Sequence, residues 1–214
     1  MTFGSMLIVV SSLLAACASG PATTTPSPAP SSPDTAPDKS PTVTNESEPW
    51  KGETIALPPS FAPDMLFSGQ EEIRFAPGMF DSKQPDFFSY VFVFRYPELK
   101  TLEHKQLVEL IEKYYSGLMS SVAGQKEGVD EATLALAKQV SVDITASTTN
   151  SLEIKVHSFD AFSTMAPITL NMKLNVENVG PGICVRVQTS PQGFDHAVWQ
   201  SLGQALDALR CQVQ

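Results

Sequence analysis

The chain is poor in the residues that most often carry chemistry. Its 214 residues include three histidines, three cysteines and two tryptophans. It has no Gly-rich phosphate loop, no HExxH, no CxxC and no GxSxG. The commonest signatures of nucleotide binding, zinc hydrolysis, thiol redox chemistry and serine hydrolysis are therefore missing. No histidine has a metal-ligand partner at a helical or strand spacing, so neither a metal nor a cofactor is expected. Basic residues are outnumbered by 14 to 23, for a net charge of −9. That balance excludes nucleic acid, whose phosphates need a basic face, and a domain clinging to anionic lipid through its own surface. Long apolar runs are scarce too. The one at residues 7–16 is about half the twenty residues a membrane-spanning helix needs, and its length suits the core of a signal peptide. No Lys or Arg precedes it, although export signals normally begin with positive charge.

That run ends in Leu14-Ala15-Ala16-Cys17, which resembles the lipobox of bacterial lipoproteins. The resemblance implies that residues 1–16 are cut away as a signal peptide and that Cys17 becomes the N-terminus, with a diacylglycerol on its sulfur. Two or three palmitate-like acyl chains then hold the protein on its membrane, since each buried methylene contributes about 0.8 kcal/mol and a single chain binds only reversibly. Ala18 stands where an Asp would favour the inner membrane of a Gram-negative cell, so the resemblance implies the outer membrane. An ordinary signal peptide with an incidental cysteine is the alternative.

Residues 17–59 read as a lipidated N-terminus followed by a Pro/Ser/Thr-rich tether. The tract has no apolar period and too little apolar surface to offset the entropy of ordering it. Residues 60–214 are long enough for one domain with a core of its own. Within it, Thr101 can cap a helix over 102–122, whose Leu107, Leu110, Ile111, Tyr114 and Leu118 follow the three-and-four spacing of one face. Gly124 ends it. A second helix is predicted over 196–210, capped by Asp195, with Phe194 and Trp199 placed as a hydrophobic staple. Strands are predicted by strict alternation around 140–145, 152–157, 168–177 and 183–188, and near 72–76 and 87–96. The last is apolar on both sides, with Phe88, Tyr90, Phe92, Phe94 and Tyr96 on one face, and is expected to be central. Residues 130–139 fit a short helix or a strand extension. The order predicts an α+β fold: an antiparallel sheet of about six strands with two main helices on one face, a two-layer sandwich. The Phe88 row is then expected under Trp199 and the Leu107 stripe. The stretches GQEEIRFAPGMFDSKQPDFFSYVFVF and SPQGFDHAVWQSL are similar to uncharacterised secreted proteins of bacteria, a resemblance that implies no particular activity.

Apart from Cys17, two cysteines remain, and in an oxidising compartment Cys184 and Cys211 are expected to form a disulfide. Alternation puts Cys184 beside Arg186 and Gln188, opposite the apolar face. A cysteine ending a helix packed on the apolar face would have to reach round an edge, or a bulge would have to turn Cys184 over. Two free thiols are the alternative. The polar sheet face carries Lys155, His157, Lys173 and Arg186, the candidate surface for an envelope protein or small ligand. An apolar groove along the Phe88 row is a second candidate, and core packing is its plainer reading. Asp81 and Asp86 share a loop but lack the dense carboxylate spacing of a calcium site. The expectation is a cell-envelope lipoprotein with a tethered binding domain rather than an enzyme. The alternative is a periplasmic hydrolase with a His/Asp-based site, such as His157, Asp160 and Ser163.

Overall fold

The computed structural model describes Trp50–Cys211. Cys17 and the Pro-rich tract up to residue 49 lie outside the described residues. The chain forms seven strands: β1 (Lys51–Leu57), β2 (Gly69–Phe75), β3 (Tyr90–Tyr96), β4 (Ser141–Ser147), β5 (Ser151–Asp160), β6 (Ala166–Val179) and β7 (Gly182–Ser190). Three helices complete the fold: α1 (His104–Gly124), α2 (Glu131–Lys138) and α3 (Val198–Asp207). The strands form one open antiparallel sheet in the order β1-β2-β3-β7-β6-β5-β4. Two meanders, β1 to β3 and β4 to β7, thus meet along a single seam, where Val93 lies opposite Arg186. The α+β class is as expected from the sequence. The strand count rises from six to seven because KGETIAL, inside the stretch read as tether, pairs with β2 through Ile55 opposite Glu71. The folded region therefore begins before residue 60.

One face of the sheet is covered by α1 and α2. Tyr90, Phe92, Phe94 and Tyr96 of β3 point to this side, and Tyr114 of α1 packs on Phe92 and Phe94 with ring centroids 6.1 and 5.7 Å apart. Leu107, Leu110, Ile111 and Tyr114 are buried as their spacing requires. The helix starts at His104, not after Thr101: the Gln106 side chain accepts a hydrogen bond from the Glu103 backbone N–H at 2.9 Å, half of a capping box. Gly117 is needed where α1 crosses the preceding loop, because a Cβ there would lie 2.2 Å from the Phe61 carbonyl oxygen. The ambiguous segment at 130–139 is helical, with Asp130 as its N-cap accepting from the Thr133 N–H at 2.8 Å. Phe88 is buried in this core but precedes the strand, in a loop with a left-handed backbone (φ 49°).

The other face is where the expectation of helices on one side fails. Val91, Val93 and Cys184 point away from the aromatic row and are buried under Trp199, Leu202, Leu206 and Leu209 of the α3 segment. The domain is a helix–sheet–helix arrangement at the seam, and Trp199 does not cover the Phe88 row. The physical reason is β3 itself: all seven of its residues are buried, so both of its faces need a cover. This placement also removes the difficulty over the cysteines. Cys184 faces α3 directly, and it is bonded to Cys211 across a Cα–Cα distance of 5.6 Å. Closing that loop stabilises the domain by about 3–4 kcal/mol in the chain-entropy account.

Candidate functional site

The four polar-face residues named from the sequence have separate fates. Arg186 is used by the fold. Its guanidinium donates to the Leu209 carbonyl at 3.2 Å and to the Leu206 carbonyl at 3.1 Å, at the C-terminal end of α3, where the Leu206 carbonyl also accepts from the Leu209 N–H at 3.0 Å. Arg95, only 8% exposed, does the same for the Arg210 carbonyl through Nε at 2.8 Å and pairs with Glu72 at 2.6 Å. Burial pushes Glu72 up, but the hydrogen bond from Arg95 and the charge of Arg74 outweigh it and hold the carboxyl below its ordinary value. Lys173 lies over the rings of Phe194 and Trp199, 4.8 and 5.4 Å from their centroids, a cation–π contact that ties β6 to the start of α3. Lys155 and His157 stay exposed. His157 bridges neighbouring strands, with Nδ1 3.1 Å from Thr169 Oγ1 and Nε2 2.9 Å from Asp143 Oδ2.

A first prediction separates these roles. Arg186→Ala should lower the stability of the domain by about 2 kcal/mol in urea unfolding, because it strips a charged donor from two buried carbonyls. Lys155→Glu should leave stability within about 0.5 kcal/mol of the parent, as exposed substitutions do.

The hydrolase set does not assemble. Asp160 is fully buried on the α1 side, in phase with Val156. Its carboxylate accepts from the backbone N–H groups of Phe162, Ser163 and Thr164 at 2.9, 3.0 and 2.7 Å and from Thr164 Oγ1 at 2.7 Å, which pins the β5–β6 turn. His157 points to the opposite face, and the Ser163 hydroxyl donates to the Phe80 carbonyl at 3.0 Å. Among the described residues no cluster of His, Cys, Asp and Glu is placed to hold a metal ion.

A groove of about 1000 Å³ lies elsewhere, beside α3. One wall is the outward stripe of α3, with Ala197, Ser201, Gln204 and Ala205 at helical spacing. The facing wall is the 77–86 loop, which brings Asp81, Gln84 and Asp86; Trp50 also lines the groove. The sequence pattern gave no signal for it, since its walls are a helix flank and an irregular loop far apart in the chain. Its walls are held by local bonds. Asp86 accepts from the Gly78 N–H at 3.0 Å, and the Gln192 side-chain amide donates to the Pro85 carbonyl at 3.1 Å. Asp81 is held below its ordinary value, first by the Lys83 backbone N–H, which donates to it at 3.0 Å. His196 lines the groove too, but its Nδ1 accepts from the Val198 N–H at 3.1 Å and so caps α3. Among the described residues that imidazole is bonded to no carboxylate or hydroxyl, which leaves it without the relay partners of a hydrolase.

A second polar site is sealed in the core. Glu71 is fully buried between β1 and β3 on the α1 side. It accepts from the Tyr114 hydroxyl at 3.0 Å, and its other carboxylate oxygen has no hydrogen-bond partner among the described residues. Burial is the main cause that raises it to about 8, helped by Glu53 and opposed by the Tyr114 bond. Tyr90 and Tyr115, hydrogen-bonded to each other, and Tyr96 fill the surrounding core, all pushed up chiefly by burial. Nothing reaches Glu71 from solvent, so this cluster belongs to stability.

No protein-family model, no curated protein and no solved structure matches the chain.

Proposed function

We propose that the protein is a cell-envelope lipoprotein, anchored through Cys17 on the outer membrane, whose folded domain binds a partner or ligand and performs no chemistry of its own. The observation that supports binding most directly is the groove between α3 and the 77–86 loop, which gathers carboxylate, amide and hydroxyl groups beside an indole. None of its polar groups forms a nucleophile–base pair among the described residues. The rest of the α3-side sheet face, around Lys155 and His157, is a weaker candidate, because Arg186 and Lys173 are engaged with the α3 segment.

One experiment tests anchor and site together. A photoreactive benzoylphenylalanine is placed at Ser201 in the groove or at Lys155 on the sheet, in the full chain expressed in its own cell type. Irradiation should give a covalent adduct from position 201 and none from position 155, with the protein in the membrane fraction. Cys17→Ser should release it from that fraction or leave it unprocessed. Adducts from 155 alone would move the site to the sheet face, adducts from neither would remove the binding role, and a processed, membrane-bound Cys17→Ser protein would remove the anchor.

A further inference from the structure

We infer that the groove beside α3 takes a neutral, hydroxyl-rich saccharide, with the Trp50 indole as its stacking platform. This rests on the groove being the binding site. The charge of the lining comes first: among the described residues no lysine or arginine lines it, while Asp81 and Asp86 do. The acidic side chains an anionic ligand would meet there, Asp81 and Asp86, both repel it. Gln84 and Gln204 each offer a donor and an acceptor, and Ser201 adds a hydroxyl, so the walls can exchange hydrogen bonds with groups that both donate and accept. Sugar hydroxyls are such groups.

The shape then separates the remaining classes. The walls are a helix flank and a loop, with no strand edge for an extended peptide to pair with. A polyproline ligand docks against a row of aromatic rings, whereas this groove has one indole. An acyl chain asks for an apolar tunnel, and it would cover two carboxylates and two amides while offering none of them a hydrogen bond. Ala197 and Ala205 keep the α3 wall low, so a flat ring can lie along it. A volume of about 1000 Å³ is at the upper end for small-ligand sites and has room for an oligosaccharide instead of a single sugar.

The test is calorimetric titration of the full chain with chitotriose and cellotriose, beside a synthetic peptide of the chain's own Pro-rich tract. At least one trisaccharide should bind, about tenfold more weakly to Trp50→Ala. Trp50 is half-buried against the α3 cluster, so a second variant guards against a folding defect. Gln204→Ala, at an exposed position, should keep the parent melting temperature and still lose several-fold in affinity. Binding that survives both substitutions, or no trisaccharide binding at all, overturns the inference. If the peptide binds and Gln204→Ala weakens it while the sugars do not bind, the saccharide class fails and the groove stands as a binding site. If no probe binds and position 201 yields no adduct in the cell, both readings fail.

Discussion

Raising the pH from 4.5 to about 8 should remove about 4–5 kcal/mol of folding stability through Glu71 alone. The unfolded chain gives up this proton near 4.5, while the folded domain keeps it up to about 8. Between those values only the native state holds the proton, so each pH unit lowers stability by about 1.4 kcal/mol. Below 4.5 the contribution is complete; above 8 both states are ionised and the loss levels off. The groups that face Glu71 are Tyr114 and Tyr115 from α1, Tyr90 and Tyr96 from β3, and Glu53 from β1. None is a cation that would rescue the buried charge. Glu71→Gln keeps the shape of the protonated side chain and should flatten this part of the profile. Urea unfolding should show the variant nearly equal to the parent at acid pH and clearly more stable above pH 8. Parallel profiles for the two proteins would mean that Glu71 ionises in the folded state as it does in water.

Phe92→Ala should cost about 3–5 kcal/mol, and Trp199→Ala a similar amount. Phe92 is fully buried and its ring meets Tyr90, Phe94 and Tyr114 at 6.0, 4.9 and 6.1 Å. Trp199 sits on Phe194 at 4.8 Å and donates its indole N–H to the Gly193 carbonyl at 2.8 Å. The two side chains share no partner, because the sheet lies between them. Their losses should therefore add to within about 0.5 kcal/mol in a double-mutant cycle. A coupling of several times that size would put them in one core and return α3 to the face covered by α1.

The sequence made the period-two strands and the face of α1 readable because each buries one stripe against a single neighbour. Where α3 packs was harder. Its stripe of Trp199, Leu202, Leu206 and Leu209 shows that it is covered, but a stripe does not name the face it meets. Two signals did bear on it. Val91 and Val93 are apolar in the phase opposite Phe92, and Cys184 lies in that same phase. Read together, they put a second layer over β3 and β7 and bring Cys211 to it. β1 was hidden for another reason: KGETIAL follows a Pro-rich tract and exposes most of its residues even when paired, so burial left little trace in its composition. The groove left none. Its polar residues come from a loop, a helix flank and Trp50, and only the tertiary fold brings them together.

The seam between β3 and β7 also governs how fast the domain forms. The β4–β5, β5–β6 and β6–β7 hairpins close over short turns and β1–β2 over a longer loop, but the β3–β7 ladder joins Val93 to Arg186. The entropy of that long loop must be met before any bond of the ladder forms. α3 rests on both strands of the seam, and Tyr114 of α1 packs on β3. Neither helical layer has its full floor until the two meanders meet. Two locally formed halves therefore wait on one slow encounter. A growing chain that stops short of β7 holds hairpins but no closed core, with the apolar faces of β3 still exposed to other chains.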